Sequence, residues 1–257
     1  MTKYYNSNHY NYPIEVDNIS WEIIVTITDN LSRKIIYSRY DIVNKNTNSN
    51  YITKGILWWL INWIPNNVLI LWFWWWAYAK YLEDHFRNIK ITWVDIDETM
   101  FEIAKKELNI KTNDLLLDEN DKVLKELIEK KIKYDLIFID VYWSEWIIPE
   151  EYSRLEKYQN ISKLLNQNWI ISINFADYSW KNIWKYNKIH HFIKKIFWEN
   201  FIHINSEKDK KWNIIWIYNI NKKYTSEEVS LNYLKLVKNK NVLYDPNMIK
   251  NIYIEEN

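Results

Sequence analysis

Three aspartates stand where acid–base or hydroxyl-binding chemistry needs a carboxylate. Asp140 closes the run Tyr134-Asp135-Leu136-Ile137-Phe138-Ile139, whose apolar body reads as a buried strand. A carboxylate at such a tip can orient a nucleophile or take its proton. Capping of the loop that follows is the structural alternative. Asp95 closes Lys90-Ile91-Thr92-Trp93-Val94, 19 positions after Trp76. A carboxylate at that distance from a strand–turn–helix can accept the ribose hydroxyls of an adenosine group. Asp97, just ahead of Glu98, suits a helix cap better. Asp118 and Asp121 precede a third helix; one of them can face an adenine amino group, or both can cap or lie on the surface.

The stretch before these acids is Val68-Leu69-Ile70-Leu71-Trp72-Phe73-Trp74-Trp75-Trp76-Ala77. A chain that turns sharply after a strand and lets a ligand touch its backbone needs glycine, which tolerates φ > 0 and has no side chain in the way. The helix that follows then offers free N–H groups. This protein has 17 Trp and 1 Gly, where an average chain of its length carries roughly 18 Gly at about 7%. Trp and Gly together match that number. The chain is also rich in Ile, Lys, Asn and Tyr, residues with A+T-rich codons. We read many or all of the Trp letters as UGA codons that the source reads as glycine; a genuinely Trp-rich protein, with a buried aromatic cluster at this turn, is the alternative. Trp72, Trp74 and Trp76 then form a ligand loop, and Trp21 becomes a turn glycine. Taken literally, Trp72, Trp74, Trp75 and Trp76 crowd the same pocket.

These residues need elements to position them. Glu22–Ile27 and Arg33–Tyr37 read as a small β unit. Gly55 opens a helix-like segment to Asn62. From Val68 onward, strands at 68–71, 90–94, 134–139, 170–174, 201–204 and 213–218 alternate with helices near 75–86, 98–108, 121–130, 152–165 and 187–197. That alternation predicts an α/β fold, a doubly wound, mostly parallel sheet. Ligands in such sheets bind beyond the carboxyl ends of the strands. A further helix is expected near Ser226–Val237. The expected organisation is an N-terminal β unit over 1–55, a Rossmann-like domain over 56–220 and a tail over 221–257.

Composition narrows the function classes. A net charge of +1 lacks the basic footprint of nucleic-acid binding. The absence of Cys excludes disulfides and thiolate chemistry. No metal-ligand spacing stands out, and His190-His191 reads as a solvated helix face. The segment Met1–Asn18 is polar, and Val68–Ala79 is too short to span a bilayer. A soluble, cytoplasmic protein without membrane or nucleic-acid partners is expected.

With Trp read as Gly, residues 56–218 resemble the spermidine synthase family, closest to its divergent, spermidine-synthase-like branch. The resemblance rests on Val68–Trp76, on Trp93-Val94-Asp95-Ile96-Asp97, on Tyr134–Trp143 with Ile148-Pro149, and on Leu165–Ile171. It implies the S-adenosylmethionine-dependent transferase fold and, as co-substrate, S-adenosylmethionine or its decarboxylated form, without a metal. It implies aminopropyl transfer to a small-molecule amine, with a homodimer as a further possibility. By position, Trp72, Trp74, Trp76, Asp95, Ile96 and Asp118 would contact the donor, and Asp140 and Tyr142 would be catalytic. The chain departs from the family where Trp75 and Trp143 replace two acids that bind the cationic amine. A methyltransferase with another acceptor, and a non-catalytic dimeric binding module, are the alternatives.

The coding DNA tests the glycine reading. UGA is expected at the Trp positions of the ligand loop, and Gly in the corresponding peptides by mass spectrometry of the native protein. UGG codons there refute it.

Overall fold

Strands that are apolar on both faces must be covered on both faces, and Val68–Leu71 and Tyr134–Ile139 have that composition. A computed structural model describes residues 1–9, 13–28, 32–45, 47, 65–71, 76–86, 88–111, 114–140, 148–175, 183–197, 201–204, 214–219, 225–238 and 252–254. Two sheets build it. The first joins β1 (Thr2–Asn6), β2 (Pro13–Ile19), β3 (Glu22–Thr28) and β4 (Lys34–Asp41) in sequence order, all antiparallel. The second has eight strands in the order β12-β10-β11-β9-β8-β5-β6-β7. These are β5 (Asn67–Leu71), β6 (Lys90–Asp95), β7 (Asp114–Leu117), β8 (Tyr134–Ile139), β9 (Leu165–Phe175), β10 (Phe201–Ile204), β11 (Ile214–Asn219) and β12 (Ile252–Ile254).

The ladders from β7 through β6, β5 and β8 to β9 are parallel. Those that join β9, β11, β10 and β12 are antiparallel. The connecting helices are α1 (Trp76–His85), α2 (Glu98–Leu108), α3 (Asn120–Glu129), α4 (Leu155–Lys163) and α5 (Ile183–Phe197), with α6 (Ser226–Lys238) before β12. Val68–Leu71 of β5 and all of β8 are buried. The chain therefore has the doubly wound α/β architecture that its pattern predicts.

One buried acid sets the amino edge of this sheet. Asp135 of β8 accepts the backbone N–H groups of Asn66 (2.8 Å) and Asn67 (3.0 Å) on Oδ2, and the Asn166 amide (2.5 Å) on Oδ1. It thereby ties the starts of β5 and β9 to β8. Charge-assisted hydrogen bonds of this kind are the stronger class.

The first sheet buries Ile14, Val16, Ile23, Val25 and Ile27 on one face, as period-2 alternation requires. Polar bonds fasten it to the helices. The Tyr40 hydroxyl donates to Asp84 of α1 at 2.7 Å. Lys3 and Tyr5 both reach Glu107 of α2, at 2.8 and 2.5 Å.

Several strands escape sequence reasoning. β7 is Asp-Leu-Leu-Leu, with no alternation, and becomes a strand by pairing with β6, Thr92 opposite Asp114 and Asp95 opposite Leu117. β1, β2 and β12 are short or polar, and their partners make them strands. β9 begins at Leu165, five residues before the expected start, because α4 ends at Lys163 and Tyr134 pairs Leu165. The helix expected over 152–165 is split: Glu150–Ser153 is a 3₁₀ turn and α4 starts at Leu155. The segment expected at 55–62 lies outside the described residues.

The end of α3 is a local conflict between sequence and backbone. Lys131 N–H bonds to Ile128 O and Ile132 N–H to Leu127 O, both at 3.0 Å, the pattern of a Schellman motif. Lys131 sits at its left-handed position with φ 55°, where a side chain costs about 1–2 kcal/mol. Glycine removes that cost but gains unfolded-state entropy. Lys131→Gly is expected to stabilise the fold by roughly 0.5 kcal/mol, a rise of about 1–2 °C in the thermal midpoint.

Candidate active site

The sheet order brings the predicted acids to one edge. β8, β5, β6 and β7 are neighbours, and all four run in the same direction. Their carboxyl ends present Asp140, Leu71, Asp95 and Asp118 in that order. Asp140 N–H bonds to Leu71 O at 3.3 Å, and Asp118 N–H to Asp95 O at 3.0 Å. Asp140 and Asp95 flank β5, about 10 Å apart by strand spacing.

Asp95 is buried, at 2% exposure. Its Oδ1 accepts the Asp97 backbone N–H at 2.7 Å. Asp97 caps α2, as its position before Glu98 implies: Oδ1 accepts Thr99 N–H at 3.0 Å. Its Oδ2 accepts the Ser7 hydroxyl at 2.5 Å, and the Thr99 hydroxyl donates to Asn6 O at 3.2 Å. The tip of the N-terminal sheet thus lies against the same turn as Asp95. Ile96, between the two acids, is half-buried.

Asp118 is half-buried just beyond β7. Its carboxylate accepts Glu119 N–H at 2.8 Å and pairs with Lys122. The Lys122 ammonium, then the Glu119 N–H, hold its carboxyl below the ordinary aspartate value. Asp121 makes a different link, to Lys157 of α4. The Lys157 side chain is 3% exposed, and its ammonium lies 4.3 Å from the Tyr152 ring centre. Burial lowers its pKa, against the opposing pull of Asp121. The Asn120 amide donates to the Tyr152 hydroxyl at 2.9 Å. Asp118 alone of the pair therefore stands beside Asp95, while Asp121 braces α3 against α4.

Asp140 is the most unusual group at this edge. It is buried, at 2% exposure. Its Oδ1 accepts the Asn174 amide at 2.9 Å. Its Oδ2 is buried and has no hydrogen-bond partner among the described residues. Burial pushes the carboxyl well above the ordinary aspartate value, with the Asn174 bond pulling the other way. A carboxyl raised in this way holds a proton more readily than a free aspartate, which suits proton transfer.

Trp76 opens α1, the helix after the proposed ligand loop. It is wholly buried in the core, so this side chain packs with the apolar residues. Its indole Nε1, however, has no hydrogen-bond partner among the described residues, a cost of about 1–3 kcal/mol. Trp72, Trp74, Trp75, Tyr142 and Trp143 lie outside the described residues. Trp21 falls in the two-residue β2–β3 turn after Ser20, whose φ is 49°. Such turns favour glycine or asparagine.

Sequence reasoning did not single out Asn174 or Lys157. Asn174 had a signal: it is a polar residue at the carboxyl end of an otherwise Ile-rich strand, next to β8. Lys157 had none, because a lysine on an amphipathic helix reads as solvent-facing. His190 and His191 fall on α5, half-buried and exposed respectively. No group of His, Cys, Asp and Glu among the described residues has metal-binding geometry. No helix there is long and apolar enough to cross a membrane. A cavity of about 450 Å³ runs beneath α3 along β7, lined by Thr92, Leu115, Asp118, Leu127 and Tyr134 among others. Of the predicted site acids it reaches Asp118 alone.

No protein-family model matches the chain, and no curated protein matches it by sequence. Its fold has close counterparts. A probable spermidine synthase from Corynebacterium glutamicum ATCC 13032 superposes with a TM-score of 0.73 at 14% identity, over 92% of this chain and 87% of that one. The chain has the spermidine synthase fold. A spermidine synthase in complex with the transition state analogue AdoDATO gives 0.55 at 14% identity, over 93% of each chain. Human methyltransferase-like protein 13, in complex with SAH, gives 0.60 at 17% identity, over 73% of this chain and 88% of that one. The architecture is therefore that of the S-adenosylmethionine-dependent transferase fold, and the acids described above sit at the carboxyl edge of its parallel strands.

The buried carboxyl of Asp140 has a stability consequence. Its folded-state pKa is raised, so the folded chain keeps a proton that the unfolded chain has lost. That contribution is full below the ordinary aspartate value and disappears as pH rises through the folded value. Asp140→Asn keeps the shape and removes the charge. The variant is expected to be more stable than the parent at pH 7 by about 1–3 kcal/mol. The difference should vanish near about pH 4, as read by thermal unfolding at the two pH values.

Proposed function

We propose that this chain is a spermidine-synthase-like transferase, moving an aminopropyl group from decarboxylated S-adenosylmethionine to a small-molecule amine. The observation that carries the reading is Asp140: a buried carboxylate at the carboxyl edge of the sheet, held by one oxygen, with the other lacking a partner among the described residues. The residues at that edge fit the donor's chemistry. The Asp95 carboxylate suits ribose hydroxyls and Asp118 the adenine amino group. Trp76 as an indole fits poorly, because its unpaired N–H is buried where the helix terminus should face a ligand. Glycine at 76 relieves that misfit, and glycine at 72 and 74 is part of the same proposal.

The division of labour follows from the side chains. Asp95, Ile96 and Asp118 bind and orient the donor, which supplies a sulfonium with a carbon open to attack. Asp140 Oδ2 accepts the proton that the amine nitrogen must lose to become a nucleophile. Holding the two reactants together supplies much of the remaining rate. Tyr142, two residues beyond Asp140, is the other proposed catalytic side chain. The chain works as a cytoplasmic enzyme in this reading, alone or as a homodimer.

A methyltransferase using S-adenosylmethionine itself is the second reading. Two observations favour it: the likeness to methyltransferase-like protein 13, and Trp rather than an acid at positions 75 and 143. Calorimetry on the full chain, made with Gly at its Trp codons, separates the readings. Tighter binding of the decarboxylated donor is expected, and preference for the carboxylated form overturns aminopropyl transfer in favour of methyl transfer. Binding of neither favours a non-catalytic module. Asp140→Asn is expected to lower turnover by at least about 100-fold while sparing donor binding. In the parent, kcat/KM should rise with pH as Asp140 ionises, with an apparent pKa above the ordinary aspartate value.

A further inference from the structure

Strand β8 carries a buried aspartate near each end, and the two are treated differently. Asp135 has three donors on its two oxygens. That is the satisfied state expected of a buried structural carboxylate. Among the described residues Asp140 has one side-chain donor, the Asn174 amide, on Oδ1 at 2.9 Å, and none on Oδ2. Asn174 is itself 3% exposed. It comes from β9, whose Ile173 pairs Ile139, so the amide reaches the carboxylate across one strand spacing.

We propose that Asn174 is a positioning residue: it anchors Oδ1 of Asp140 and so directs Oδ2 toward the acceptor bound at the carboxyl edge of β8. The assignment rests on the transferase reading above and names the residue that holds its base. The anchor is neutral and single, which decides its effect. A cation would stabilise the carboxylate too strongly for it to take a proton. Two or three donors would do the same and would occupy Oδ2, as they occupy both oxygens of Asp135. No anchor would leave the carboxyl protonated and free to rotate. One amide fixes orientation and keeps the ionised form accessible. No charged side chain among the described residues acts on Asp140: burial and the Asn174 bond are the influences on its ionisation. Leu71 of β5 contributes only its carbonyl, to the Asp140 N–H.

The test reads Asp140 directly. In the full chain with ¹³C-labelled aspartate, Asp140 is assigned by the signal lost in Asp140→Asn and titrated in the parent and in Asn174→Leu, Asn174→Ser and Asn174→Gln. Leu keeps bulk without a donor, and Ser is small enough to fold if Leu is not. Loss of the amide is expected to raise the Asp140 pKa by about one unit, the worth of one hydrogen bond, and Gln to restore part of it. The acid limb of kcat/KM should move by the same amount, with donor affinity unchanged. Unaltered titration in both Leu and Ser variants overturns the proposal. So does a loss of kcat that is equal at every pH, which marks a merely structural role. If the titration shifts but the parent turns over neither donor, the Asn174–Asp140 link stands and the transferase reading falls.

Discussion

The hydrogen bonds that Asp135 accepts at the amino end of β8 set the geometry of the whole ligand edge. They lock the starts of β5 and β9 to the central strand. A parallel sheet has a side-chain period of two, so a slip of one residue would turn every side chain to the opposite face. With the register held, Leu71 pairs Ile139 and Ile173 pairs Ile139. Asp140 then emerges between the ends of β5 and β9, beside Asn174. The two carboxylates thus differ: Asp135 ties strands together through three donors, while Asp140 Oδ2 has no partner among the described residues.

The unsatisfied one is costly. A buried carboxyl with a single neutral donor opposes folding at any pH where its unfolded counterpart is ionised. The sheet around it is largely apolar, from Val68–Leu71 through Ile137–Ile139 to Ile171 and Ile173. Local cost at a site that the rest of the structure over-determines is the usual mark of function. The N-terminal sheet adds to that support. Its Ser7 hydroxyl reaches the cap of α2 beside Asp95, and its Tyr5 and Lys3 hold the end of the same helix through Glu107.

Much of this edge was legible before any coordinates. Asp95 and Asp140 each close a short apolar run legible as a strand, and strand tips in doubly wound sheets face ligands; Asp118 was legible only as a residue ahead of the third helix. Asp97 was legible as a cap because Glu98 and an amphipathic stretch follow it. What stayed hidden were partnerships across strands. Nothing in the local sequence ties Asn174 to Asp140, 34 positions away, or Lys157 to Asp121, 36 positions away. β7 was hidden for a related reason: three leucines carry no period, and only pairing with β6 makes them a strand.

The sequence by itself determined the fold class and the acids Asp95 and Asp140 at the ends of apolar runs, because these depend on local periodicity and on residue type. The tertiary structure decided which acids matter together. It ordered the strands β8-β5-β6-β7, which places Asp140, Asp95 and Asp118 on one edge. It also showed how Asp135 and Asp140 differ: the first has three donors on its two oxygens, the second one side-chain donor among the described residues. The physical reason is that a carboxylate's role is set by how many donors reach it and how much water is excluded, and both come from residues distant in the chain.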